Sequence, residues 1–365
     1  MYTETELVLV GKRENNKKRN YLVINPLQGK HIPVRPGKAL ELFDVLAGIV
    51  KEAYDGERLL IIGFAETATA IGAQAAIRSG AGYIHTTREV ILQEDYIYFS
   101  EAHSHAAEQK LVRGDMDRAV ETADRIIFIE DEVTTGNTIL NIVGKMEERY
   151  GRKMQFSVAS ILNGMTREHM RIYEEKGIPC HYILKTNHQD YGRIAQQYRE
   201  NGCYEKCDIS ACHEVDELRV TGWMDARRMT DSRAYLKSCE ALWKSVEKAF
   251  HFVEGERVLV VGTEEFMYPA LFVAKAIEDR GCTVRCHSTT RSPIAVSQDT
   301  GYPLRTRYEL RSMYDPERTT YIYDIDSYDR VFIITDAHGG EEAGKNSLIN
   351  ALKKRNSEIH LIRWC

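Results

Sequence analysis

The sequence predicts an α/β protein built from two related units, each with a largely parallel sheet. Short aliphatic runs alternate with helical stretches, the pattern of strand–helix–strand units. The alternation occurs twice along the chain. ERLLIIG (57–63) returns as ERVLVVG (256–262), TTR (86–88) as TTR (289–291), and DRIIFIED (124–131) as DRVFIITD (329–336). Three matches in one order, at nearly constant spacing, point to duplication of one α/β unit. They fall at strand ends, where open α/β sheets place their ligands.

In chain order, RLLIIGF (58–64) is a buried strand, and the small-residue stretch AETATAIGAQAAIRSG after it is a helix. GYIHTT (82–87) is a shorter strand. RIIFIE (125–130) is a third, with a helix from Asn137 to about Tyr150, and QFSVASIL (155–162) is a fourth. Residues 186–235 lack sheet periodicity and read as a connector or insert. The second set has strands at RVLVVG (257–262), TVRCHSTT (283–290), RVFIIT (330–335) and EIHLIRW (358–364), with a helix over 269–280. The expected domains are therefore 1–185, a connector over 186–235, and 236–365.

The 365 residues suffice for two cores. A formal net charge of −5 argues against non-specific binding to nucleic acid or anionic membranes. No apolar run approaches the ~18 residues that span a bilayer. The N-terminal stretch lacks a secretory pattern, so a cytoplasmic location is expected. Eight cysteines in such a chain read as free thiols. Cys203, Cys207, Cys212 and His213 have zinc-like spacing, but adjacent Cys212 and His213 suit a tetrahedral site badly and no second knuckle accompanies them.

The chemistry concentrates in IEDEVTTGNT (129–138). A strand delivers Glu130 and Asp131 to its C-terminal edge, and the chain turns through Val133, Thr134, Thr135 and Gly136 into a helix beginning at Asn137 and Thr138. The free amides of that first turn and the threonine hydroxyls form a phosphate nest, and Gly136 permits close backbone approach. The acids need hydroxyl donors. A ribose 5-phosphate meets both demands.

The stretch resembles the phosphoribosyl pyrophosphate (PRPP) signature of type I phosphoribosyltransferases, departing from it at Glu132, where an aliphatic is usual. A second loop, GFAETATAIG (63–72), stands where those enzymes hold pyrophosphate through backbone amides. Gly63, Ala65 and Ala68 are small, Thr67 and Thr69 add hydroxyls, and Glu66 beside pyrophosphate calls for an intervening Mg²⁺. The resemblance further implies that 85–114 is a lid, with Arg88 and Lys110 as pyrophosphate clamps and His103 and His105 as acid–base groups or donors. Equally, the histidines fit an ordinary solvated loop. The Pro-rich stretch 25–43 reads as a hood over the acceptor with Lys30, His31 and Arg35 facing ligand, or as a rigid entry to the sheet.

KHIPV, GFAETAT, TTRE, SEAHSHA and EDEVTTGNT together resemble the phosphoribosyltransferase-like family of bacterial tellurite-resistance and stress operons. That family carries a C-terminal TRSP domain, named for a tetrapeptide present here at 290–293. The resemblance implies an orotate-phosphoribosyltransferase-like half with Mg²⁺ held by Glu130 and Asp131, mostly through PRPP and water. It also implies a small base-like acceptor, a nucleoside-like product and a homodimer. Two other readings remain open: a non-catalytic PRPP- or nucleotide-binding regulator, and a PRPP-synthase-like enzyme. The C-terminal repeat departs where chemistry would lie: Glu130 becomes Thr335, and TTGNT becomes GGEEA (339–343), with Glu341 and Glu342 set to repel phosphate.

Overall fold

The computed structural model describes residues 2–14, 19–99, 109–151, 154–210, 213–339 and 342–365. Along the chain come α1 (Glu4–Leu7), β1 (Leu9–Lys12), β2 (Tyr21–Ile24), α2 (Pro36–Ala53), β3 (Leu59–Gly63), α3 (Thr69–Ser79) and β4 (Gly82–His85). A hairpin, β5 (Tyr96–Phe99) and β6 (Gln109–Val112), precedes α4 (Arg113–Thr122). Then follow β7 (Arg125–Val133), α5 (Asn137–Tyr150), β8 (Gln155–Asn163), α6 (Arg167–Glu175) and β9 (Cys180–Lys185). Residues 186–235 contain α7 (Tyr191–Gln196), β10 (Cys203–Lys206), β11 (Asp216–Val220) and β12 (Thr230–Asp231). The C-terminal set is α8 (Ser232–Ala249), β13 (Arg257–Gly262), α9 (Tyr268–Glu278), β14 (Thr283–Ser288), β15 (Thr306–Arg311), β16 (Thr319–Tyr323), β17 (Arg330–Thr335), α10 (Glu342–Lys353) and β18 (Ile359–Trp364).

Two compact units result, one of 40–186 with 224–238, the other of 1–39, 187–223 and 239–365. The expected boundaries miss this interleaving. Residues 1–39 belong to the C-terminal unit because Ile24 packs with Ile294, Leu304 and Tyr323, all 0% exposed or with Tyr323 likewise fully covered. Val34 also exchanges both backbone hydrogen bonds with Cys286, at 2.9 and 2.7 Å, extending the edge at β14. The stretch read as a connector supplies strands: β10 pairs with β15, and β11 with β18. Its alternation is too short and too polar to be legible as sheet.

The N-terminal unit has a six-stranded sheet ordered β12-β4-β3-β7-β8-β9, parallel except for β12. The main sheet of the C-terminal unit runs β11-β18-β17-β13-β14, all parallel. The series β4-β3-β7-β8 and β14-β13-β17-β18 match strand for strand. Register matches as well: Gly63 lies between His85 and Ile129, and Gly262 between Ser288 and Ile334. In each unit the chain leaves the first strand for one side and returns on the other, which opens a crevice at the strand ends.

Each core is the sheet's aliphatic interior under helices. Ile61, Ile62, Phe128 and Ile129 are 0% exposed in one unit; Val260, Phe332, Leu352 and Leu361 are 0% exposed in the other. Burying such side chains stabilises by roughly 1.5–3 kcal/mol each. The helix α3 forms from TAIGAQAAIRS, rich in alanine, and stops at Gly80 in the left-handed conformation. It lies so close to β3 that a Cβ on Gly72 would come within 2.9 Å of Gly63 Cα. That approach sets the first strand-end loop.

Candidate active site

In the N-terminal unit β7 runs four residues past Ile129, to Val133, so the acids stand on the strand itself. Glu130 is level with Ser160 of β8, and Glu132 with Leu162. Val133 is buried, and its carbonyl accepts from Gly164 N–H at 2.8 Å, which anchors the end of the strand. Gly136 then turns with φ +73° and caps α5. Thr134, Thr135, Gly136 and Thr138 are half-buried and Asn137 is exposed. Asn137 N–H donates to Thr135 Oγ1 at 3.3 Å. From the far side, Tyr173 of α6 donates its hydroxyl to Gly136 O at 2.6 Å.

The second loop follows β3. Thr67 Oγ1 donates to Asp131 Oδ1 at 2.8 Å, tying this loop to the acids on β7. The Ala65–Glu66 peptide is cis. Two of the amides expected to face pyrophosphate are used internally: Ala65 N–H donates to Thr86 Oγ1 at 2.8 Å, and Ala68 N–H to Phe64 O at 2.9 Å. Glu66 and Thr67 form the stretch between them, and Glu66 is buried. Thr86 in turn donates its hydroxyl to Gln109 Oε1, joining this loop to the hairpin β5–β6.

Burial, then the neighbouring Asp131, drives the Glu130 carboxyl well above its usual pKa. Burial and the charge of Glu132 raise that of Asp131, while the Thr67 hydroxyl opposes the rise. Parts of these side chains face solvent, yet the atoms packed around them make desolvation the leading cause. Three successive acids crowd one strand end, an excess of negative charge that a divalent cation or a proton relieves. The described residues contain no group of three or more His, Cys, Asp or Glu side chains converging on one metal position. Carboxylate oxygens are the hard donors that Mg²⁺ takes, and it commonly fills its other positions with substrate oxygens and water.

The other expected residues fall in several places. Arg88 is half-buried just beyond β4. Lys110 is buried, with its ammonium 4.5 Å from the centroid of the Tyr96 ring, and its backbone pairs with Thr87. It is thus built into the hairpin rather than carried on a free loop. His103 and His105 lie outside the described residues. Lys30 and His31 require correction as acceptor-facing residues. Both belong to the C-terminal unit, where the fully buried Lys30 ammonium donates to Glu264 O at 2.6 Å and Thr289 O at 2.8 Å. His31 is also buried, edge-on to Tyr323. Arg35 pairs with Glu278 at 2.6 Å in the same unit. A lysine beside prolines carries no signal that its partners are carbonyls more than two hundred residues away.

The zinc reading is not supported either. Cys207 packs in the core beside Leu259 and Tyr308, where burial pushes its thiol up to about 11, while Cys203 is exposed; Cys212 lies outside the described residues. Tyr173 was absent from the sequence-based set. Only its hydrophobic spacing within α6 marked it, and that spacing signals core.

Residues 7–187 match the family model described as phosphoribosyl transferase, and residues 225–352 match the TRSP domain that follows it in that family. The chain belongs to the phosphoribosyl transferase family with a C-terminal TRSP domain. Membership makes this phosphoribosyltransferase a PRPP-dependent pentosyltransferase by class. No curated protein matches the chain. Among solved structures it is similar to adenine phosphoribosyltransferase from Rhodothermus marinus, with 13% identity and a TM-score of 0.36, over 50% of this chain and 96% of that one. The enzyme from Giardia lamblia complexed with 9-deazaadenine gives 13% and 0.36, over 50% and 95%. That from Trypanosoma brucei, in complex with AMP, pyrophosphate and ribose-5-phosphate, gives 14% and 0.34, over 49% and 76%. No helix among the described residues is long and apolar enough to cross a membrane.

Proposed function

We propose that the N-terminal unit transfers the phosphoribosyl group of PRPP to a small base-like acceptor and releases pyrophosphate. The observation that carries this reading is the Thr67–Asp131 hydrogen bond, which joins the two strand-end loops into one continuous polar surface. In this reading the turn from Thr134 to Thr138 receives the 5-phosphate on its amides and hydroxyls. Glu130 and Asp131 accept hydrogen bonds from the ribose hydroxyls. Glu66, Thr67 and Arg88 lie toward the pyrophosphate.

As the bond from ribose C1 to the pyrophosphate oxygen breaks, positive charge grows on the ring and negative charge on the leaving group. The paired acids balance the first, and Arg88 the second. Bound Mg²⁺ would supply further charge neutralisation on pyrophosphate. Fixing the 5-phosphate holds C1 at a set distance from the acceptor, so positioning supplies much of the rate. His103 and His105 are the nearest acid–base candidates in sequence for the proton that the acceptor or leaving group exchanges. We further read the product as a nucleoside- or nucleotide-like metabolite serving stress or tellurite resistance, made by a cytoplasmic homodimer.

The test is pyrophosphate release from Mg–PRPP across a panel of purine, pyrimidine and related heterocyclic acceptors. Acceptor-dependent release that vanishes in Asp131→Asn is the expected result. PRPP binding without release for any acceptor would favour the regulator instead.

A further inference from the structure

The strand ends of the C-terminal unit repeat those of the N-terminal unit down to single hydrogen bonds. Thr289 N–H donates to Gly262 O at 3.1 Å, as Thr86 N–H does to Gly63 O at 2.9 Å. Glu264 N–H donates to Thr289 Oγ1 at 3.0 Å, as Ala65 N–H does to Thr86 Oγ1 at 2.8 Å. Thr290 forms an antiparallel bridge with Tyr321, as Thr87 does with Lys110. The antiparallel pairs β5–β6 and β15–β16 are therefore insertions at one and the same point of the repeated unit.

What differs is the content of the loop after the first strand. Glu264 stands where the N-terminal unit has Ala65. Its carboxylate is buried and accepts from Ser312 Oγ at 2.5 Å, Arg318 Nη1 at 2.9 Å and Arg291 Nε at 3.2 Å. Arg291, of the TRSP tetrapeptide, also donates to Glu265 at 2.7 Å. Ser312 and Arg318 are the two ends of the turn between β15 and β16, so this turn folds down onto the loop. It also covers the start of α10, where a Cβ on Gly344 would lie 2.2 Å from Ser312 O. Tyr314, at the turn's centre, donates its hydroxyl to Asp336 Oδ1 at 2.7 Å, and Asp336 matches Asp131.

We infer that the strand-end crevice of the C-terminal unit is an anion site occupied by the chain's own Glu264 carboxylate, so that each chain takes PRPP only once. Two guanidinium groups and a hydroxyl converging on one carboxylate form the donor set that would otherwise grip a phosphate or carboxylate ligand. A tethered carboxylate outcompetes a free anion because its encounter is intramolecular. Glu264 holds φ +48°, a conformation that disfavours a long side chain and persists because the surrounding contacts over-determine it. Glycine suits that backbone, so Glu264→Gly empties the cradle without adding strain.

Two measurements decide the matter. In calorimetry, wild type should saturate at one Mg–PRPP per chain, and Asp131→Asn should show no saturable PRPP binding. Two per chain, or binding that survives in Asp131→Asn, overturns the inference. In thermal unfolding, inorganic pyrophosphate at about a hundredfold excess over its Kd should raise the melting temperature of Glu264→Gly by several degrees more than that of wild type, whose shift comes from the N-terminal unit that both proteins share. No response in Glu264→Gly, or the same response in wild type, overturns it. Should that variant not fold, its refolding yield with and without pyrophosphate is the readout, and equal yields count against the inference. If wild type binds no PRPP at all, the proposed transfer reaction fails, while the pyrophosphate response of Glu264→Gly still decides this point.

Discussion

The Tyr173 hydroxyl donates a 2.6 Å hydrogen bond to the carbonyl of Gly136, the residue that turns β7 into α5. The same carbonyl accepts Leu140 N–H at 3.0 Å, so two donors on the inner side hold it there. With the carbonyl so held, the conformation of the turn is fixed, and with it the direction of the amides that the proposed phosphate would meet. The contact leaves no room for a side chain, since a Cβ on Gly136 would sit 2.3 Å from the tyrosine oxygen. Tyr173→Phe should raise KM for PRPP about tenfold, the worth of one hydrogen bond, with kcat changed by less than about twofold. Gly136→Ala should be worse, losing PRPP binding through both the clash and the positive φ. Steady-state kinetics at varied PRPP checks both.

Thr67→Val keeps the volume of the side chain and removes the donor that opposes the upward shift of Asp131. The Asp131 carboxyl should then titrate higher still. If its ionised form grips the ribose hydroxyls, the acidic limb of kcat/KM must move to higher pH in this variant. An unchanged profile with lowered turnover would mean that Thr67 acts on loop shape alone.

Glu130 also yields a prediction about stability. Its folded-state pKa lies well above the unfolded value, so the fold binds its proton more tightly than the unfolded chain does. The stability this contributes is fully present below the usual carboxylate range and is lost as pH rises through the raised value. Glu130→Gln escapes that loss. Its melting temperature should match wild type near pH 5 and exceed it by a few degrees near pH 8, while PRPP-dependent turnover disappears. A variant less stable than wild type at both pH values would contradict the assigned environment.

Arg291 supports two buried carboxylates at once, pairing with Glu264 at 3.2 Å and Glu265 at 2.7 Å. Its own side chain is 12% exposed. Removing one partner of such a cluster strands charge in a poor solvent for it. Arg291→Ala should destabilise the C-terminal unit by about 3–5 kcal/mol in urea unfolding. Arg291→Lys should recover only part, because a single ammonium cannot span both acids.

Much of the framework was legible before any coordinates. The strands at 257–262 and 330–335 and the helix at 137–150 fall on the residues expected, because aliphatic runs and a glycine turn are local signals. The repeat was legible for the same reason, and the matching registers now give it physical content. Lys30 was misjudged, and Tyr173 and the strands within 186–235 were missed. In each case the partner that gives the residue its role lies far away in sequence: Glu264 for Lys30, Gly136 for Tyr173, and β15 and β18 for the two strands.

By itself the sequence determined that acids and a threonine–glycine turn stand together after β7, since they are neighbours along the chain and a strand carries neighbours to one edge. Only the tertiary structure decided that the N-terminal segment serves the C-terminal unit, and that Glu264 meets Arg291, Arg318 and Ser312. Those outcomes depend on long-range burial of charge and on hydrogen-bond partners brought close by the sheet, and no local pattern of residues encodes them.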